Sequence, residues 1–216
     1  MDGLLLDSEP YWKEAEIEVF SKLGVPLTGW MCDSTVGKRI EEVVSHWHKL
    51  YPWDANKSGA SFKEVSKEVL HKVISLINDR GIPLEGVDYI IKFFKDRKIK
   101  TAIASSSAMI IIEAALQKFA IKEEFDSVHS AENEQFGKPH PAVYLNTAKQ
   151  LGTLPMNCLA FEDSYNGLVA AKDAGMKTVV IPEKRFFNDE RFSLADIKLS
   201  SLKQFDMKNL EALNKL

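Results

Sequence analysis

The sequence predicts an α/β fold, a doubly wound parallel sheet core with a helical segment inserted near its N-terminus. Three observations point there. From about Leu84 onward, short β-branched or small apolar runs alternate with longer amphipathic stretches, the pattern of strand and helix units around a parallel sheet. Between Pro10 and Pro83 that alternation stops, and amphipathic stretches follow one another with no convincing strand. Polar loops stand directly after the strand candidates or at helix starts, where open parallel sheets hold their sites.

The chain opens on Met1-Asp2-Gly3-Leu4-Leu5-Leu6-Asp7-Ser8-Glu9-Pro10, an Asp-Gly pair and an Asp-Ser-Glu-Pro run that suit the exit of a buried strand. Helices are expected at residues 11–23, 39–50 and 62–79, and loops at 25–37 and 51–60, where Pro, Gly, Asp and Ser collect. The inserted segment returns at Pro83-Leu84-Glu85-Gly86. Strands are then expected at residues 101–104, 127–129, 158–161 and 178–182, with helices at 87–97, 108–119, 141–151 and 166–174. Gly152 and Gly175 stand where helix C-caps belong. The tail reads as a turn and a short amphipathic helix over residues 205–216.

Composition narrows the function classes. A chain of 216 residues buries one substantial core with room for a sizeable insert. With 27% charged residues and a formal net charge of -3, it lacks the basic excess that favours nucleic acid. Cys32 and Cys158 are too few for a disulfide framework or a Cys-rich metal site, which fits a reducing cytoplasm. No run approaches the ~20 apolar residues that span a bilayer, so neither secretion nor a membrane partner is expected. A monomer is expected.

Four loops carry the chemistry. Glu162 and Asp163 end an apolar run; they are either surface charges ahead of a helix or a pair of oxygen donors for a hard cation such as magnesium. Ser164 and Asn166 read as helix N-caps. Ser105, Ser106 and Ser107 either form a polar turn capping the helix from Ala108 or, with its free N–H groups, hold a phosphoryl group. Lys138, between Gly137 and Pro139, is either a solvated turn lysine or a cation facing phosphate. Asp2 is a turn former with Gly3 or a general acid and base. Arg39 is an exposed helix charge or an anion clamp, and of Trp12, Trp30, Trp47 and Trp53 most belong to a core while one or two wall a pocket. The five histidines show no metal-ligand spacing.

In this order, Asp2-Gly3 to Pro10, Ser105, Lys138-Pro139 and Glu162-Asp163 resemble the four motifs of the haloacid dehalogenase superfamily, over the whole chain. Asp7-Ser8-Glu9-Pro10, Gly137-Lys138-Pro139-His140-Pro141 and Glu162-Asp163-Ser164 with Asn166-Gly167 look like its branch of β-phosphoglucomutases and small sugar phosphatases, nearest to the hexitol and 2-deoxyglucose 6-phosphate phosphatases. The resemblance implies a Rossmann-like core over residues 1–9 and 84–216 and a helical cap domain over 10–83. It also implies magnesium-dependent phosphoryl transfer through an aspartyl-phosphate. Asp2 would serve as acid and base and touch magnesium through its backbone carbonyl, beside the carboxylates of Glu162 and Asp163. Ser105 and Ser106 would bind phosphoryl oxygens, and Lys138 would offset charge on nucleophile and phosphate. Trp12, Arg39, Trp47 and Trp53 are candidates for contacting the sugar.

The nucleophilic Asp of the resemblance, and the strand that would carry it, fall immediately ahead of Met1. Both are expected to belong to the protein there; a misassigned start and a truly shortened chain are the alternatives. Loss of a central strand would expose sheet edges and cost more than the ~5–15 kcal/mol by which domains are stable. A small sugar phosphate is the implied partner and hydrolysis the implied reaction. A mutase of the β-phosphoglucomutase kind is the second reading, disfavoured by Trp12 where those mutases carry a histidine. A catalytically dead relative that binds sugar phosphate or protein follows if Met1 is the true start.

Overall fold

The computed structural model of the chain describes residues 1–57 and 59–214. The N-terminal helical layer contains α1 (Glu9–Lys22), α2 (Gly29–Cys32), α3 (Ile40–Leu50) and α4 (Phe62–Arg80). Helix α1 starts two residues before its expected bound, because Pro10 is tolerated in a first turn whose N–H groups have no intrahelical partner. Helix α4 starts at a capping box in which Ser61 Oγ accepts from the Glu64 N–H and Glu64 Oε2 accepts from the Ser61 N–H. The segment 25–37, expected as loop, contains α2 and a 3-10 turn at Asp33–Thr35. Elements so short show no helical period in sequence.

After α5 (Val87–Lys95), strands and helices alternate as β1 (Ala102–Ser105), α6 (Met109–Phe119), β2 (Ser127–Ser130), α7 (Ala142–Leu151), β3 (Leu159–Glu162), α8 (Tyr165–Asp173), β4 (Lys177–Val180), β5 (Ile197–Lys198) and α9 (Met207–Leu213). All strand pairs are parallel. β1 pairs with β2 from Ala102 opposite Ser127 to Ser105 opposite Ser130, and β3 pairs with β4 from Leu159 opposite Lys177 to Glu162 opposite Val180. β5, which the sequence reading did not anticipate, adds two residues beside Val179 and Val180. The expected final helix is shorter than 205–216, and residues 215–216 lie outside the described part. Among the described residues the strands form two sheets, and between β1 and β3 runs a groove of about 1140 Å³, lined by residues such as Ile103, Phe161, Ile91 and Phe94 and also by Met1, Leu4 and Leu5.

Two apolar clusters meet at α6. Ile112 and Leu116 face the sheet side with Phe94, Ile103, Val179 and Phe205, while Ile111 and Ala115 face the helical layer with Phe20, Trp47, Val69 and Ile77. Residues one position apart project to different sides of a helix, so a helix apolar on both sides cements both layers. Each large apolar side chain buried there contributes roughly 1.5–3 kcal/mol. The chain leaves for the helical layer and returns from it side by side: Leu6 bridges Pro83, and the Leu84 N–H donates to the Leu5 carbonyl at 2.9 Å. Among the described residues no helix is long and apolar enough to cross a membrane.

Candidate active site

The loops after β1 and β3, the first residues of the chain and the Gly137–Pro139 turn converge on one cavity of about 670 Å³, whose opposite wall is Trp12, Glu16, Lys38 and Arg39 from the helical layer. Asp2 is held at both carboxylate oxygens. Ser8 donates to Oδ1, and Ser107 donates to Oδ2 at 2.5 Å. Ser8 occupies the N-cap position of α1 without a side-chain capping bond, since its hydroxyl is committed to Asp2. Asp7 is exposed.

Ser105 is buried at the end of β1, where its Oγ accepts from the Ser107 N–H at 3.2 Å. Ser106 is half-buried and lines the cavity. None of the three serines caps α6: its N-cap is Ala108, and the Met109 N–H donates to Glu132 Oε2 at 2.9 Å. Ser164 caps α8 as expected, accepting from the Gly167 N–H at 3.1 Å, whereas Asn166 is an exposed residue inside that helix.

Lys138 turns inward across a cis Lys138–Pro139 peptide and donates to Glu162 Oε1 at 2.5 Å. Tyr144 donates to the same oxygen, and Ser164 Oγ donates to Oε2 at 3.1 Å. Burial opposes ionisation of Glu162, but the Lys138 ammonium and the bonds from Lys138 and Tyr144 outweigh it and hold its carboxyl below the usual range. Burial beside this carboxylate pushes the Tyr144 hydroxyl well above its usual value.

Asp163 packs directly on the first loop, so closely that a Cβ on Gly3 would lie 2.0 Å from its Oδ2. Burial, then the negative charges of Glu162 and Asp2, push its pKa up against the opposing pull of the Met1 α-amino group and Lys138. Among the described residues no three His, Cys, Asp or Glu side chains gather as a ready-made metal cage. The donor chemistry nevertheless suits a hard cation. Asp163 offers a carboxylate against the backbone that follows the Asp2 carbonyl, and the negative charges of Glu162 and Asp2, which add to burial in raising its pKa, are ones a cation would offset.

Arg39 neither floats free nor points at the loops alone. Its Nε and Nη2 bond Glu42, and its Nη1 donates across to the Glu134 carbonyl at 3.1 Å, tying the helical layer to the loop after β2. Trp12 lines the cavity; Trp47 is buried among α-helices, Trp53 packs on Phe20 and donates to the Ala60 carbonyl, and Trp30 is exposed. Sequence reasoning passed over Ser8 and Ser107 as partners of Asp2, although both stood inside quoted motifs. It also missed Tyr144, which carries no local signal, and Glu16, whose signal is an acid on the buried face of α1 beside Ala15, Val19 and Phe20.

Fold and site together define a class of enzyme. Residues 1–181 match the haloacid dehalogenase-like hydrolases, and the chain belongs to that family of enzymes. Among its relatives, Hexitol phosphatase B of Escherichia coli (strain K12) is 41% identical over 211 residues, which cover 97% of this chain and 93% of that protein. Phosphorylated carbohydrates phosphatase of Thermotoga maritima is 28% identical over 179 residues, covering 83% of this chain and 81% of that one. The crystal structure of CbbY from Rhodobacter sphaeroides in complex with phosphate shares the fold, with a TM-score of 0.87 and 24% identity over 98% of this chain and 96% of that chain.

Proposed function

We propose that the protein is a magnesium-dependent phosphatase of small sugar phosphates (hexose, deoxyhexose or hexitol phosphates) acting through an aspartyl-phosphate. The observation that carries this reading is the meeting of Asp2, Ser106, Lys138 and Asp163 around one cavity whose far wall is Trp12, Glu16 and Arg39. The sugar class follows from the names of the relatives above.

In this reading the nucleophile is a carboxylate on the residue ahead of Met1. Two features support it. Met1 lines the same cavity as Asp2, Glu162 and Asp163, so the residue bonded to its nitrogen would sit at the acidic loops. The groove between β1 and β3, with an unpaired edge on each strand, also suits a strand leading into Met1. The carboxylate attacks phosphorus, the ester P–O bond breaks, and Asp2 gives its proton to the leaving oxygen. Water then attacks the aspartyl-phosphate as Asp2 takes its proton, releasing inorganic phosphate and the free sugar. Ser8 and Ser107 aim the Asp2 carboxylate. Ser105 and Ser106 are assigned to the phosphoryl oxygens, and Lys138 to charge on nucleophile and phosphate. Asp163 and Glu162 by carboxylate, and Asp2 by carbonyl, would hold magnesium, which when bound supplies a Lewis acid for the phosphoryl oxygens.

Residues 10–83 are read as a cap over a core of residues 1–9 and 84–216, with the Arg39 to Glu134 contact as a bridge between them. Trp12 and Arg39 line the sugar side. A cytoplasmic monomer is proposed, with no nucleic acid or membrane partner. The test is a panel of hexose, deoxyhexose and hexitol phosphates assayed with the complete protein. Phosphate release that needs magnesium and stops with EDTA is the expected outcome. Isomerisation of glucose 1-phosphate without phosphate release would replace hydrolysis by mutase chemistry, and binding with neither reaction would leave only a binding protein.

A further inference from the structure

Glu9, Trp12 and Glu16 lie three and four residues apart on α1, and all three line the cavity. This stripe begins next to Ser8, which holds Asp2, and at 1.5 Å of rise per residue Glu16 stands about 12 Å further along the helix axis. It therefore faces the part of the cavity remote from the phosphoryl loops. Glu16 is 5% exposed, and its Oε2 is buried with no hydrogen-bond partner. Trp47 Nε1 is likewise buried and unpaired. Burial pushes the Glu16 carboxyl up to about 7 against the pull of Trp47 and Cys32 close by, yet neither makes a bond of ordinary geometry to it. Folded proteins rarely leave a buried acceptor unmet, and here the carboxyl belongs to a side chain that lines the cavity together with Val43 and Leu70.

We infer that Glu16 is a specificity-determining residue that hydrogen-bonds a hydroxyl at the end of the substrate remote from its phosphoryl group, selecting polyhydroxylated phosphate esters over apolar ones. This rests on the phosphatase reading above. A site built to bond a substrate hydroxyl rejects an analogue lacking it, because its own buried group is then left unpaired. Glu16 touches no reacting atom, so its substitution changes KM for one substrate class and spares the chemistry.

The complete protein and its Glu16→Leu, Glu16→Met and Glu16→Gln variants are assayed on sorbitol 6-phosphate and on p-nitrophenyl phosphate, with thermal unfolding recorded alongside. Leu or Met raises KM for the sorbitol ester about tenfold or more, while p-nitrophenyl phosphate hydrolysis stays within about twofold; Gln, which still accepts a hydrogen bond, restores most of the KM. An unchanged KM for the sorbitol ester, or an equal loss on both esters, overturns the inference. So does failure of both apolar variants to fold, which makes the carboxyl structural. Failure of the phosphatase reading itself would show before any variant is made, as a wild-type protein that releases no phosphate from the sorbitol ester.

Discussion

Lys138 and Glu162 form an ion pair with side chains only 9% and 5% exposed, and the pair is the residue-scale hinge of the site. Removing one partner of a buried pair strands the other charge. Lys138→Met should therefore destabilise the fold by about 3–5 kcal/mol as well as abolish turnover. Adding Glu162→Gln should return most of that stability, read by thermal unfolding, without returning turnover; a double variant with near-normal turnover would place the lysine outside the chemistry. Glu16 gives a pH signature. Its carboxyl has an ordinary value of 4.5 and a folded value of about 7. Between these the folded chain keeps a proton that the unfolded chain gives up, so stability falls as pH rises through that window. Glu16→Gln should stabilise by up to about 3 kcal/mol at pH 8 and by little at pH 4.5. Equal gains at both pH values would contradict the burial of this carboxyl.

At the scale of elements, the start of α8 packs so tightly on the end of β3 that a Cβ on Gly167 would lie 2.1 Å from the Glu162 carboxyl. Gly167→Ala should push Glu162 off Lys138, cost on the order of 1–3 kcal/mol and lower turnover; unchanged unfolding and kinetics would show that the carboxylate has room to move. The main strands and long helices were legible because their apolar periods extend over whole elements. Helix α2 is four residues long and β5 two, too short for any period; β5 is placed by long-range partners, Val179 and Val180 on β4 and the Asp196 to Thr178 bonds. The site was legible loop by loop, since Asp2, Ser105, Lys138, Glu162 and Asp163 each stand in a local motif. Its wiring was not. Ser107 reaches Asp2 across 105 positions and Tyr144 reaches Glu162 across 18, so no window of sequence joins them.

The whole molecule places a helical layer and a sheet layer on either side of one cavity, with α6 packed into both and Arg39 crossing to the Glu134 carbonyl. In the proposed reading that arrangement would separate binding of the sugar from chemistry at phosphorus, so that a substrate handle on α1 and an acid on the first loop could be altered independently. Among the described residues the sheet layer is in two parts, and Met1 lines both the groove between β1 and β3 and the cavity that holds the acidic loops. The most direct measurement is phosphate release from a hexitol phosphate by the complete protein and its Asp2→Asn variant, with magnesium present. The variant should lose about 10²–10⁴ in kcat while unfolding at the wild-type temperature; near-normal turnover by Asp2→Asn would contradict the proposed proton transfer.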